Sequence, residues 1–254
     1  MENPTSNTLG LNLEKLKEEF EEKGIVRVAH FLSRSQADDL CEELKEIIER
    51  EGPTIGTGNI RQKDGSLASL SRHSEKFRNL AKDPRLLDIL EVLMSPNIEL
   101  THTKAVSKSA DAPWGSPWHQ DAFYWKGGTK ITVGLVLCDS TIENGCLQVV
   151  PGSHKKKLAH GSGKDFAYEV DPAEIDPADV EDVVLEAGGL FIFHDDLLHA
   201  SRDNQTSETR WFYYATYADA SKPDLHYPLY GQEQYVVRGE LTAPRLEYPP
   251  VSSY

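Results

Sequence analysis

The chain has 254 residues, 39% of them hydrophobic and 27% charged, with a formal net charge of −14. Barrel and sandwich folds of this length commonly form one domain. The acidic balance argues against a nucleic-acid partner, because phosphate contacts need Lys and Arg. No apolar run is long enough to cross a bilayer and residues 1–10 do not resemble a secretion signal, so we expect no membrane partner and a cytoplasmic location. No pattern indicates an oligomeric state.

The first third of the chain is predicted to be mainly helical. Apolar periodicity, a Ser33–Gln36 capping box and an Asp83–Pro84 helix start support this interpretation. The predicted elements are a helix around 13–20, a strand over 24–31, a helix from 33 to 52, a loop over 53–72 and a helix from 83 to 94.

The remainder is predicted to be mainly strand, over residues 98–108, 130–138, 146–150, 183–193 and 210–217. Helices followed by strands favour an α+β fold, a jelly roll with the helices packed on one sheet. We predict one domain over 1–254, with helical support in 1–97, a jelly-roll core in 98–219 and a C-terminal extension in 220–254. Residues 155–182 interrupt the strand pattern and are interpreted as an insertion near the site.

The three cysteines, Cys41, Cys138 and Cys146, are odd in number and form no Cys-x-x-Cys pair. The sequence therefore predicts neither a disulfide framework nor a structural zinc site.

A candidate metal site begins at His119 and Asp121, which are two residues apart and would share one face of an extended strand. With a distant His199 they make two imidazoles and one carboxylate, the facial triad of non-heme Fe(II) oxygenases. Arg210 follows His199 by 11 residues (210 − 199) and could hold a dicarboxylate through a bidentate fork. It lies on a largely apolar strand face, where a single Arg needs an anion.

A second cluster, His194-Asp195-Asp196, competes for the metal, with His226 as a third ligand and Arg238 as the anion holder. Only one clear strand is predicted between 196 and 226, and prolines flank His226, which disfavours strand structure there. The 78 residues between Asp121 and His199 (199 − 121) accommodate several strands, so the first triad is preferred.

Four sequence segments together resemble the phytanoyl-CoA dioxygenase family of Fe(II)/2-oxoglutarate oxygenases, over about Phe31 to Tyr217. The Pro-Gly-Ser-His turn is the most specific of them. The segments are His119-Gln120-Asp121, Glu143-Asn144-Gly145-Cys146-Leu147, Val150-Pro151-Gly152-Ser153-His154, and Leu198-His199-Ala200-Ser201 with Asn204 and Arg210 after it.

The resemblance implies a double-stranded β-helix, the jelly-roll or cupin-like fold, in which His119, Asp121 and His199 bind Fe(II). It also implies that Arg210 and Ser201 bind the distal carboxylate of 2-oxoglutarate, and that Lys104 contacts this co-substrate.

At Gly134 the family usually has Trp. Either a neighbouring side chain fills the space of that ring, or the pocket is larger in this chain. His154, in the Pro-Gly-Ser-His turn, is interpreted as structural.

The resulting hypothesis is a dioxygenase that uses Fe(II), O2 and 2-oxoglutarate, with ascorbate as a reductant in vitro, to hydroxylate a small metabolite. Succinate and CO2 would be the co-products. Asp121 favours hydroxylation, or desaturation or dealkylation that begins with it, because related halogenases replace this carboxylate by a small residue. Phe123 and Trp125 are candidate substrate-binding residues, with core aromatic residues as the alternative.

Two other functional classes stay open at this point. One is a catalytically silent jelly-roll binding protein, and the other is a cupin-like metal-dependent isomerase or lyase. The absence of an evident basic patch for a coenzyme A phosphate favours a small polar metabolite or natural-product intermediate as the substrate.

Overall fold

A larger and a smaller β-sheet form the frame of the protein in the computed structural model, which describes residues 9–51, 66–124, 128–158, 161, 168–226 and 234–247. The helices in this part of the chain are α1 Leu13–Lys23, α2 Arg34–Glu51, α3 Leu70–His73, α4 Glu75–Leu80 and α5 Pro84–Leu93.

The larger sheet has the order β1-β7-β4-β9-β3-β11, and β2 also pairs with β3. Its strands are β1 Ile25–Val28, β2 Leu67–Ala68, β3 Ile98–Lys108, β4 Lys130–Val136, β7 Leu190–His194, β9 Arg210–Asp219 and β11 Tyr235–Arg238. The smaller sheet has the order β6-β5-β8. Its strands are β5 Leu147–Val149, β6 Glu181–Val183 and β8 His199–Ser201, while β10 Asp224–His226 and β12 Arg245–Glu247 form a separate parallel pair.

The helix starts that the sequence predicts are confirmed in their hydrogen bonds. Ser33 N donates to Gln36 Oε1 at 2.9 Å and Gln36 N donates to Ser33 Oγ at 3.2 Å, which is the reciprocal pattern of a capping box. At α5, Asp83 accepts from Arg85 N at 2.9 Å ahead of Pro84 in the first helical position.

Two hydrophobic cores lie on the two faces of the larger sheet. The outer core joins this sheet to the helices, and the Tyr217 hydroxyl donates to Ala81 O at 3.0 Å beneath α4. The inner core lies between the two sheets and includes Val149, Phe191 and Phe212. Each such large apolar side chain stabilises the fold by about 1.5–3 kcal/mol when buried. The predicted α+β double-stranded β-helix with helices on one sheet is therefore confirmed.

Two predicted boundaries were wrong. Residues 183–193 do not form one strand, because the chain turns at Gly188 (φ 90°), so that β6 joins the smaller sheet and β7 the larger one. The predicted loop over 53–72 contains β2 and the start of α3 within 66–72, while 53–65 lie outside the described residues.

Two other segments were predicted only coarsely. In the insertion at 155–182, the described residues 168–180 are irregular apart from two short 3-10 turns. The chain after residue 220 contributes β11, which pairs antiparallel with β3. Among the described residues, no helix has both the length and the apolar character that a membrane crossing requires.

Candidate active site

His119 and His199 are brought together by their own backbones. Each donates its N–H to the carbonyl of the other at 3.0 Å, in an antiparallel bridge at the edge of β8. The two rings consequently lie 4.2 Å apart between centroids, and both residues are buried. The strands β4 to β7 fill the sequence interval between them, as a wound sandwich requires.

The Asp121 carboxylate lies beside the two histidine rings and belongs to a short turn. The prediction that the His119 and Asp121 side chains lie on the same side is confirmed, and Gln120 between them is extended. The assignment of Asp121 to a strand was wrong, because a single 3-10 turn over Asp121–Phe123 begins there, and Ala122 N donates to Asp195 O at 2.9 Å. Asp121 Oδ1 lies 3.5 Å from His119 Nε2 and 3.8 Å from His199 Nε2. Ligand atoms of all three residues lie within 4.8 Å of one another, so the three could hold a metal ion.

A backbone carbonyl at Nδ1 fixes the orientation of each imidazole. His119 Nδ1 lies 2.7 Å from Pro117 O, and His199 Nδ1 lies 2.9 Å from Leu197 O. A ring whose Nδ1–H donates to a carbonyl presents the Nε2 lone pair at its other end, which is the usual arrangement of metal-binding histidines. Both Nε2 atoms face Asp121.

The protonation states also suit a cation. Burial, and then the neighbouring His119, lowers the pKa of His199 to about 4, so its imidazole is neutral at neutral pH. Burial by itself would raise the pKa of Asp121, but His199, His119 and Lys104 outweigh it, and the pKa of this carboxyl is lowered. Two imidazoles and a carboxylate are the ligand set that Fe(II) takes in facial-triad oxygenases.

Arg210 is a buried cation that forms no ion pair with a carboxylate of the described residues. It is 2% exposed, and its guanidinium carbon lies 3.7 Å from the centre of the Phe212 ring. Tyr214 interacts with the guanidinium through a side-chain hydrogen bond, but within the described residues Nε and Nη1 have no partner. Burial lowers the pKa of Arg210. Since a buried charge without a partner is costly, these free donors indicate a site built for an anion such as a carboxylate.

Lys108 and Ser201 lie next to this guanidinium. Lys108 pairs with Arg210 across β3 and β9, is buried, and donates from Nζ to Ser201 Oγ at 2.8 Å and to Arg202 O. Burial, and then Arg210, lowers the pKa of Lys108 to about 7. Ser201 follows His199 by two residues on β8, so one short strand connects the candidate metal site and the candidate anion site.

The sequence reasoning selected Lys104 and missed Lys108. Lys104 is opposite Tyr214 with its Nζ 5.6 Å from that ring, and it acts electrostatically on Asp121 and His199. The two lysines share one face of β3, but four residues separate them along the strand by about 13 Å. Lys108 ends the predicted strand 98–108, and Arg210 begins the predicted strand 210–217. These matching end positions are the signal that could have identified Lys108.

Phe191 fills the space beside Gly134. A Cβ atom on Gly134 would lie 2.1 Å from Phe191 Cζ, so the ring occupies the volume that a side chain there would need. Phe191 also contacts Phe212 and Tyr214, with centroids 5.6 and 6.1 Å apart. Of the two alternatives for Gly134, the structure shows the one in which a neighbour fills the gap.

Aromatic side chains lie beside the three candidate metal ligands. The Tyr124 ring is 6.1 Å from His119, and Tyr168 lies 5.4 Å from Tyr124 and 5.9 Å from Phe123. Val170 N donates to Trp118 O at 2.8 Å, which holds this part of the 155–182 segment against the site. Trp125, the other predicted substrate-binding residue, lies outside the described residues.

The competing cluster at His194 is partly engaged in local hydrogen bonds. Its ligand atoms also lie within 4.8 Å of one another, but His194 Nδ1 accepts from Asp196 N at 3.0 Å. Asp195 Oδ2 accepts from Lys130 N at 2.9 Å. Arg238, its proposed anion holder, pairs on the surface with Asp88 and Glu91, each at 2.8 Å. The side chain of His226 lies outside the described part of the chain.

Comparison with protein families gives one match, to the family described as phytanoyl-CoA dioxygenase (PhyH), over residues 20–212. A probable alpha-ketoglutarate-dependent hypophosphite dioxygenase of Stutzerimonas stutzeri is 28% identical, over 92% of this chain and 89% of that protein. An L-proline trans-4-hydroxylase of Streptomyces griseoviridis is 23% identical, over 80% of this chain and 85% of its own length.

Solved structures of similar fold include the epimerase SnoN in complex with Fe3+, alpha-ketoglutarate (2-oxoglutarate) and nogalamycin RO. It is 25% identical with a TM-score of 0.69, over 82% of this chain and 84% of SnoN. The apo non-heme monooxygenase ThoJ is also 25% identical, with a TM-score of 0.74 over 92% of this chain and 87% of ThoJ.

Proposed function

Since the chain belongs to the phytanoyl-CoA dioxygenase family and is an Fe(II)- and 2-oxoglutarate-dependent dioxygenase, we propose that it hydroxylates a small-molecule metabolite, with succinate and CO2 as co-products. The observation that carries this proposal is that the candidate metal site and the candidate anion site share the short strand β8. The triad of His119, Asp121 and His199 includes a residue of β8, and two residues along this strand Ser201 Oγ accepts a hydrogen bond from Lys108. Lys108 is the cross-strand partner of the buried Arg210, whose Nε and Nη1 have no partner among the described residues.

We assign the three triad residues as the Fe(II) ligands. Bound iron, with 2-oxoglutarate and O2, supplies the redox chemistry that couples decarboxylation of the keto acid to oxidation of the substrate. The carbonyls of Pro117 and Leu197 hold the two Nε2 atoms towards the metal position. Because these groups are fixed before the metal arrives, the protein loses little side-chain freedom on binding it.

Arg210, Lys108 and Ser201 bind the distal carboxylate of 2-oxoglutarate in this proposal. Arg210 offers the unpartnered donors Nε and Nη1, Lys108 adds a second positive charge, and the Ser201 hydroxyl adds a further hydrogen bond. A dicarboxylate anchored at this end directs its keto-acid end to the metal. Lys104, nearer the triad, adds positive charge on the path between them.

Asp121 supports the proposed reaction type, and the aromatic residues beside it are the proposed substrate contacts. An intact carboxylate leaves no room for a halide, which supports hydroxylation, or an outcome that begins with it. Phe123 and Trp125 are proposed to contact the substrate, with Phe123 packing on Tyr168. Relatives are named for hypophosphite, proline and ectoine, three different small molecules that together indicate no single substrate.

Succinate release tests the proposal against a silent binding protein and a metal-dependent isomerase. Protein with Fe(II), ascorbate and 2-oxoglutarate is incubated with candidate metabolites, and we expect O2-dependent succinate. Anaerobic addition of 2-oxoglutarate to the Fe(II) protein should give a visible charge-transfer band. Absence of both signals would contradict the proposal.

Arg210→Met and Arg238→Met form a matched pair for that assay. Both remove one guanidinium, but Arg210 is buried at the site and Arg238 forms surface ion pairs with Asp88 and Glu91. We expect Arg210→Met to raise the apparent KM for 2-oxoglutarate by at least about tenfold, as for a charge-assisted bond of roughly 1.5–3 kcal/mol. Arg238→Met should leave it unchanged; equal effects would exclude Arg210 as the anchor.

A further inference from the structure

Two cysteines that are distant in sequence meet outside the active site. Cys41 lies on α2, and Cys138 lies two residues after the end of β4. The Cys41 sulfur is 3.7 Å from Leu137 O, next to Cys138, and the two thiols interact through a side-chain hydrogen bond. Both are free and partly exposed, so a small oxidant has access to them.

The two thiols differ in acidity. The hydrogen bond from Cys41, a second one from Trp211 N at 3.3 Å and the charge of Arg210 lower the pKa of Cys138 to about 7, against the effect of burial. The same contact with Cys138, and then burial, raises the pKa of Cys41. A thiolate with an adjacent protonated thiol is the arrangement in which one sulfur is oxidised and the other resolves it.

Cys146 provides an internal contrast. It is fully buried, and burial together with Asp182 raises its pKa to about 12. Its sulfur lies 3.6 Å from Asp182 Oδ1. A buried protonated thiol reacts slowly with peroxides, so selective oxidation should spare this residue.

We propose that Cys41 and Cys138 form a peroxide-oxidisable pair that closes to an intramolecular disulfide. The Cys138 thiolate attacks one oxygen of hydrogen peroxide, the O–O bond breaks, and the released hydroxide takes a proton to give water. Cys41 then attacks the sulfenic sulfur of Cys138, its thiol proton and the departing hydroxide form a second water, and the S–S bond forms. The two thiols lose two electrons, and one peroxide is reduced to two waters.

This disulfide would fasten the helical layer to the sheet beside the co-substrate anchor. Cys138 accepts a hydrogen bond from the amide of Trp211, the residue after Arg210. A bond between Cys41 and Cys138 closes a loop of 97 residues (138 − 41), and closure of a long loop restricts the unfolded chain strongly. We expect the oxidised protein to melt at least about 4 °C higher than the reduced protein.

The test is peroxide titration of the full chain loaded with Zn(II), so that iron–peroxide chemistry does not contribute. Remaining thiols are alkylated under denaturing conditions, and the peptides are mapped without reduction. We expect loss of two of the three thiols, one Cys41–Cys138 peptide pair, an alkylated Cys146, and full reversal by dithiothreitol. A pair that stays reduced at a peroxide excess that oxidises free glutathione would overturn the proposal.

Three variants separate the steps. Cys41→Ser should form no internal disulfide, and Cys138 should then be labelled by dimedone as a sulfenic acid. Cys138→Ser should leave Cys41 unoxidised, and Cys146→Ser should form the disulfide like the unaltered chain. A link to Cys146, a link between chains, or dimedone labelling of Cys41 before Cys138 would contradict the assigned pair and its order.

Discussion

Lys108 and Arg210 are paired positions on β3 and β9, and both cationic side chains are buried in the same part of the larger sheet. The charge of Arg210 contributes, after burial, to the lowered pKa of Lys108. Two like charges are buried side by side only at a cost that an anion can offset. This relationship indicates a candidate anion site at these two residues.

Replacement of Lys108 by Met is expected to weaken 2-oxoglutarate binding by about 10- to 100-fold, because a buried charge-assisted contact is lost. Lys104→Met is the matched control, since it removes a lysine from the same face of β3 at a position nearer the triad. We expect a smaller effect from it, below about fivefold. Titration calorimetry on Zn(II)-loaded protein measures both; a larger loss from Lys104→Met would make Lys104, and not Lys108, the main lysine contact of the co-substrate.

Binding of 2-oxoglutarate should weaken as pH rises above about 7. The pKa of Lys108 is about 7 in the ligand-free protein, and a bound carboxylate raises it, so binding takes up a proton at pH values between the two pKa values. The affinity should fall by up to about tenfold per pH unit in that window and be constant below it. Calorimetry in buffers of different ionisation enthalpy reports the proton uptake, and Lys108→Met should abolish it.

Asp121→Ala should reduce Fe(II) affinity by at least about 10-fold, because one of three ligands is lost. Asp196→Asn is a matched control: Asp196 belongs to the second cluster, and Asp196 Oδ1 is buried without a hydrogen-bond partner among the described residues. We expect the control to retain the affinity of the unaltered protein in anaerobic equilibrium dialysis. The reverse ranking would move the metal to the His194 cluster.

Gly134→Ala should destabilise the protein by about 1–3 kcal/mol, because its methyl group would overlap the Phe191 ring. In a Phe191→Leu background the same substitution should cost less, since the smaller side chain leaves the ring position vacant. Urea unfolding of the two single variants and the double variant gives the coupling. Additive free energies of unfolding would show that the ring does not occupy that space.

Asp195→Asn should stabilise the protein at neutral pH. Burial raises the pKa of Asp195 to about 7 from its ordinary 3.8, so the unfolded chain loses this proton at lower pH than the folded one. The stability contributed by the protonated carboxyl is complete below about pH 4 and is lost as pH rises to about 7. The increase in the free energy of unfolding caused by Asp195→Asn should grow over the same pH range, up to about 4 kcal/mol. Thermal melting at pH 4.5 and 8 measures it; an equal effect at both would contradict the titration of Asp195.

Most of the fold class and the identity of the triad could be predicted from the sequence. Residue type decides which side chains can bind iron or a carboxylate, and the interval from Asp121 to His199 requires strands between them. The helix caps at Ser33 and Asp83 are local, so their prediction needed no tertiary information.

Contacts between distant segments were decided only by the tertiary structure. Strand periodicity placed Lys104 and Lys108 on the same face, but the register of β3 against β9 determines that Lys108 meets Arg210. Packing between the sheets determines that Phe191 fills the space at Gly134. The bridge between His119 and His199 brings the two distant histidines together, and a 3-10 turn begins at Asp121, which the two-residue spacing had assigned to a strand. The physical reason is that periodicity fixes only the face on which a side chain lies, whereas its partner depends on register and packing.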